Sequence, residues 1–151
     1  VMVRVLGLDE VASLAARVHG RQVDKAGRPY VEHLAAVADG VRARGGSAAQ
    51  ISAAWLHDAV EDGAVSEEWL LGAPLPAGTT DIVLAVTKRV GEQPADYAAR
   101  ILGTPGALLV KEADLAHNAD PVRLGALDAA TRERLAGKYA RMRALLGLPA
   151  D

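Results

Sequence analysis

The densest chemistry in the chain lies in Ala53-Ala54-Trp55-Leu56-His57-Asp58-Ala59-Val60-Glu61-Asp62, where an imidazole and three carboxylates interrupt an apolar stretch. Read as a helix at about 100° per residue, His57, Asp58, Glu61 and Asp62 fall within an arc of roughly 140°. His57 with Glu61, and Asp58 with Asp62, are then i, i+4 neighbours whose side chains converge. No Lys or Arg stands among them. An acidic face that is merely solvated usually intersperses cations, and carboxylates crowded without one repel each other. Imidazole with carboxylate is a donor set for divalent Mn, Fe or Zn, so the pattern points to a metal centre.

A second segment, Val110-Lys111-Glu112-Ala113-Asp114-Leu115-Ala116-His117-Asn118, sets Lys111, Asp114 and Asn118 at i, i+3 and i+7. They share one helical face while apolar residues cover the others. An isolated helical Asp is usually a surface residue, but one that shares a face with Lys and Asn reads as a cleft residue. His33 follows a polar turn at the start of another helix. Spacing alone does not single it out, because a lone helical His is more often a core or surface residue.

These residues need helices to carry them, and the apolar pattern has helical period, punctuated by Gly and Pro. A first helix is predicted over Asp9 to His19, with Leu14, Ala15 and Val18 inward. A polar turn, Gly20 to Pro29, follows. A second helix starts near Tyr30 and stops at Gly45-Gly46. Ser47 is the N-cap of a third, predicted to run through Asp62 and end at Gly63. Ser66 caps a short turn with Trp69 and Leu70, and the two prolines of Ala73 to Gly78 mark a loop, either a connection or a lid. Helices are predicted again over Thr80 to Val90 and Pro94 to Leu102. Thr104-Pro105 serves as N-cap and N1 of one that runs to Asn118, and the last covers Thr131 to Leu146. Nothing reads as a strand.

The 151 residues suit one domain. Half are apolar and 24% charged, with abundant Ala and Leu, no Phe, two Trp and three Tyr, so the core is expected to be small and aliphatic. The net charge is −2 and no basic stripe is present, which speaks against nucleic acid as partner. Cysteine is absent, so disulfides and thiolate metal sites are excluded. Val1 to Gly7 is too short and too polar for a signal peptide, and no run has membrane-spanning length. A cytoplasmic protein without a membrane partner is expected, of unassigned oligomeric state.

The order His33, His57-Asp58, Asp114 resembles the H…HD…D signature of HD-domain phosphohydrolases. More narrowly, the chain resembles the hydrolase domain of the bifunctional Rel/SpoT alarmone enzymes and their stand-alone Mesh-type relatives. The matching text is His19-Gly20-x-Gln22, Lys25-x-Gly27-x-Pro29-Tyr30-x-x-His33, His57-Asp58-x-x-Glu61-Asp62, Thr87-Lys88-Arg89 and Lys111-x-Ala113-Asp114-x-x-His117-Asn118, in order from about residue 9 to residue 145. The resemblance implies an all-α, compact single-domain helical bundle of the HD superfamily over residues 1–151. It implies Mn²⁺, or another divalent ion, held by His33, His57, Asp58 and Asp114. Glu61 and Asp62 would position or deprotonate the attacking water, Asn118 would contact the nucleotide, and Lys25 and Lys111 would steady phosphates. The implied reaction removes the 3′-pyrophosphate of ppGpp or pppGpp to give GDP or GTP and pyrophosphate, and the expected activity is degradative only. The chain departs from the long enzymes at Asp24, where they carry Arg, at Leu34, where Pro is usual, and at Ala119-Asp120, where Met-Arg is common. Asp24 in particular leaves room for another phosphorylated nucleotide, such as an adenosine alarmone, NADPH or a nucleoside monophosphate. A module that binds nucleotide without turnover is the third reading, disfavoured because both acidic catalytic positions are filled.

Overall fold

Residues 4–150 are described in a computed structural model, and among them helix follows helix with no strand between. The ends of the expected domain, residues 1–3 and 151, lie outside the described residues, as does the start of the segment read against a signal peptide. The elements are α1 (Leu8–His19), α2 (Tyr30–Ala43), α3 (Ala48–Leu56), α4 (Glu67–Gly72), α5 (Thr79–Val86), α6 (Pro94–Leu102), α7 (Ala107–Asn118), α8 (Pro121–Gly125) and α9 (Ala129–Leu146). The polar turn between α1 and α2 is closed by an isolated antiparallel bridge, Val23 with Pro29.

Helices α2, α3 and α7 pack on one another at the centre; α1 and α5 flank α3, and α6 and α9 lie against α7. Leu34, Val37 and Val41 of α2, Ile51 and Leu56 of α3, and Val110 of α7 are buried in one core. Each such side chain contributes about 1.5–3 kcal/mol relative to exposure. Small residues let the central helices close up. A Cβ on Gly40 of α2 would meet the Ala113 Cβ of α7 at 3.3 Å, so a larger side chain at either position would push apart the helices that carry the site. No helix is long and apolar enough to cross a membrane among the described residues.

Local capping explains the bounds that match. The Ser47 hydroxyl accepts the Gln50 N–H at 3.2 Å while Gln50 Oε1 accepts the Ser47 N–H at 2.8 Å, a reciprocal cap on α3. Ser66 accepts the Trp69 N–H at 3.0 Å, and Pro94 opens α6 at N1. The inner face of α1 is Val11, Ala15 and His19, with Leu14 and Val18 only partly covered.

Four expectations are corrected. The third helix stops at Leu56 and does not reach Asp62. The His57 ring takes the Ala54 carbonyl at 2.6 Å, the acceptor the next helical N–H needs, and the chain continues in turns. Helix α5 stops at Val86, short of Val90, because Arg100 binds the carbonyls of Leu84 and Thr87 at 2.9 and 2.8 Å. Thr104 does not cap α7; its hydroxyl donates to the Arg100 carbonyl at 2.9 Å and closes α6 instead. Gly106 takes the cap position at φ +86°, where a Cβ would lie 3.0 Å from Ile82 Cδ1. The short α8, opened by the Asp120 cap and Pro121, lies where no helix was expected. The loop Ala73 to Gly78 is a connection: Leu75 is buried in the core, and the Pro74 carbonyl accepts the Leu6 N–H at 2.8 Å.

Candidate metal centre and cleft

His33 on α2, His57 and Asp58 just past α3, and Asp114 on α7 come together, each offering a ligand atom within 4.8 Å of the others. His33, His57 and Asp114 are 2%, 3% and 5% exposed. Asp114 Oδ1 lies 3.1 Å from Nε2 of both histidines, and Asp58 Oδ2 lies 3.0 Å from His57 Nε2 and 3.8 Å from His33 Nε2. Outer contacts set the ring orientations. His57 Nδ1 donates to the Ala54 carbonyl at 2.6 Å, and His33 Nδ1 lies 2.7 Å from Nδ1 of His117, so both Nε2 atoms face the centre.

Two carboxylates and two imidazole edges aimed at one buried point require positive charge there. Burial works against a charge on His57, yet Asp58 and Asp114 hold its pKa well above the ordinary value. Burial likewise works against ionised Asp58, but His57 and the Tyr30 hydroxyl outweigh it and bring the carboxyl down to about 2. Asp114 is held well below the carboxylate range against burial by Lys111 and the histidines. A divalent cation fits this donor set, with outer partners that hold each ligand in place.

The centre opens into a cleft of about 640 Å³, with Glu61 and Asp62 in its wall. Glu61 Oε1 accepts the Lys88 backbone N–H at 2.7 Å, and Asp62 Oδ2 accepts Gln22 Nε2 at 2.9 Å. Burial pushes both carboxyls up, only partly offset by those donors, which suits groups that take a proton from water. The chain runs in turns after Leu56, keeping one helix-type bond from the Asp62 N–H to the Asp58 carbonyl at 2.9 Å, and Glu61 and Asp62 take different anchors.

Lys111 and Asn118, expected to meet substrate, line the cleft and also hold Asp114, through Lys111 Nζ on Oδ2 and Asn118 Nδ2 on Oδ1, both at 3.1 Å. Lys25 lies at the exposed rim. Lys138 of α9 is held below its ordinary pKa by burial and by Lys111, Lys88 and Lys25, so four ammonium groups gather on this side. Leu124, Leu127, Leu135 and Met142 line the cleft with Tyr139.

Tyr30 and His117 are site residues that spacing did not pick out. Tyr30 donates its hydroxyl to Asp58, and His117 stacks on His33 with ring centroids 5.0 Å apart. The signal that could have found them is the i, i+3 relation of Tyr30 to His33 and of Asp114 to His117.

A model of the HD domain family matches residues 12–150. The chain belongs to the HD domain family. Over 71 residues it is 42% identical to a Synechocystis sp. (strain ATCC 27184 / PCC 6803 / Kazusa) protein described as a probable guanosine-3′,5′-bis(diphosphate) 3′-pyrophosphohydrolase. That match takes in 47% of this chain and spans 9% of the other protein's length. This HD chain also superposes on a solved structure of a metazoan ortholog of SpoT, described as hydrolysing ppGpp and playing a role in starvation responses. The TM-score is 0.76 at 21% identity, covering 97% of this chain and 88% of that one, a likeness of fold.

Proposed function

We propose that this HD-domain chain is a metal-dependent phosphohydrolase that removes the 3′-pyrophosphate of ppGpp or pppGpp, giving GDP or GTP and pyrophosphate. The observation that carries the reading is the His33, His57, Asp58, Asp114 centre, with two carboxyls beside it and a wall of ammonium groups in the same cleft. The descriptions of the two similar proteins add support. Manganese is the ion we assign, in a single domain over residues 1–151 that acts on a small nucleotide in the cytoplasm.

When bound, a divalent ion there supplies Lewis-acid neutralisation of phosphoryl charge and acidifies water. The chain's own residues do the rest. Glu61 and Asp62, fixed by Lys88 N–H and Gln22, orient water and take one of its protons as the water oxygen bonds to the phosphorus attached to the 3′ oxygen; the 3′ oxygen–phosphorus bond breaks and that oxygen gains a proton. Lys25, Lys88 and Lys138 face the remaining phosphates. The aliphatic residues with Tyr139 cover the base. Asp24 does not put an unpaired carboxylate before a polyphosphate, because Arg123 neutralises it at 2.9 Å.

The test strips the protein with chelator, restores Mn²⁺, adds ppGpp and resolves products by anion-exchange chromatography. GDP and pyrophosphate, appearing only with metal, are expected. Intact ppGpp at high concentrations of metal-loaded protein sinks the alarmone assignment, and a panel of phosphorylated nucleotides then finds the substrate.

A further inference from the structure

Asp24 and Arg123 stand 99 positions apart in sequence and meet at the cleft. Asp24 Oδ1 accepts the backbone N–H groups of Ala26 and Arg28, both at 2.9 Å, so the polar turn itself fixes the carboxylate. Its Oδ2 accepts Arg123 Nη1 from α8 at 2.9 Å. The pair is built into the fold: the Asp24 side chain is 8% exposed and that of Arg123 22%. Burial works against ionised Asp24, and the turn amides with Arg123 outweigh it and lower its pKa.

Arg123 has donors to spare. Among the described residues Nε and Nη2 have no acceptor, while the side chain lines the cleft. The partly buried Lys111, by contrast, is already engaged by Asp114. A guanidinium anchored through one nitrogen keeps an edge of parallel donors that matches two oxygens of a phosphate, which a lysine cannot reproduce. The anchor also removes rotamer freedom before a ligand arrives, so less is lost on binding.

We propose that Arg123 reads a phosphate group that the metal centre does not hold, and that Asp24 is the positioning residue that aims it. The proposal rests on the phosphohydrolase reading of the cleft. It makes the carboxylate of the polar turn a device for phosphate recognition, acting through an arginine brought from α8.

The test titrates Mn²⁺-loaded protein with inorganic pyrophosphate by calorimetry, for wild type, R123Q, R123K, D24N and D24N/R123Q. Metal content and melting temperature are recorded for each, and ppGpp kinetics are run in parallel. R123Q should bind pyrophosphate roughly 10- to 100-fold more weakly, the size of a lost charge-assisted hydrogen-bonding pair. D24N should lose about 3- to 10-fold, and the double variant should be no worse than R123Q, because Asp24 acts through Arg123. On ppGpp the loss should appear in KM more than in kcat. Should R123Q melt early, R123K carries the test, with retained charge and a weaker grip as the expected result. Wild-type affinity in the folded arginine variant, losses of D24N and R123Q that add, or a wild type that takes up no pyrophosphate overturns the assignment. The expected binding pattern with ppGpp left intact instead retires the alarmone reading and leaves Arg123 in place.

Discussion

Both oxygens of Asp114 are engaged, Lys111 Nζ on Oδ2 and Asn118 Nδ2 with the two histidine Nε2 atoms around Oδ1, all at 3.1 Å. Asp58 is placed as firmly, between the Tyr30 hydroxyl and His57. Glu61 and Asp62 are held instead by an amide N–H and a glutamine, outside this knot. On the proposed reading, that division of partners separates ligand from base. His57→Ala or Asp58→Ala should lose metal and activity together, read by metal analysis and ppGpp turnover on the same preparation. Glu61→Ala should keep its metal and turn over about 10²–10⁴-fold more slowly, the usual contribution of a general base. Metal lost from the Glu61 variant would move that residue into the ligand set, and full activity would remove it from the mechanism.

Among the elements, the segment between α5 and α6 decides where Glu61 points, since its Lys88 N–H is the Glu61 anchor. Arg100 pins that segment, reaching Glu92 at 2.7 and 2.8 Å and the Thr87 carbonyl at 2.8 Å. The hydrogen bonds from Arg100, with burial opposing, hold the Glu92 carboxyl down to about 2 from an ordinary 4.5. A carboxyl lowered by folding stabilises the fold fully above its ordinary value and loses that contribution as pH falls through the folded one. Glu92→Gln should therefore melt below wild type at pH 6, with the gap closing as pH falls from about 4.5 toward about 2. A gap independent of pH would mean that the ion pair does not act through Glu92's charge. Arg100 also shows why some boundaries were not legible. The starts of α3, α4 and α6 are local, and Ser47, Ser66 and Pro94 declare them, whereas the start of α7 is displaced because Thr104 closes α6. The ends of α3 and α5 are set by side chains that seize carbonyls, His57 on Ala54 and Arg100 on Leu84 and Thr87, and the second of these comes from another helix. Asp120-Pro121 was a readable helix start for α8, but five residues give no periodicity. The site divides the same way. Asp114 with Lys111 and Asn118 is legible from one helical face, whereas His33 needed the family resemblance, because what brings it into the cluster is the approach of α2 to α3 and α7.

At the scale of the whole molecule, the metal centre is a cross-link. Its donors come from α2, from the turn after α3 and from α7, whose mutual packing forms the core, so they meet only in the folded chain. A ligand that binds the folded form alone stabilises it by mass action, about 2.7 kcal/mol at a hundred times its Kd. For a chain near this length each kcal/mol raises the melting temperature by about 2–4 °C, so a shift of roughly 5–10 °C is expected when Mn²⁺ is restored to chelated protein. Mg²⁺, which prefers an all-oxygen octahedron and gives up its waters reluctantly, should shift it far less against two imidazoles. His57→Ala should abolish the Mn²⁺ shift, whereas Glu61→Ala should leave it. Thermal scans of the three proteins with each ion decide the matter: an equal shift with Mg²⁺, or one that persists without His57, would place the ion elsewhere than among these four residues.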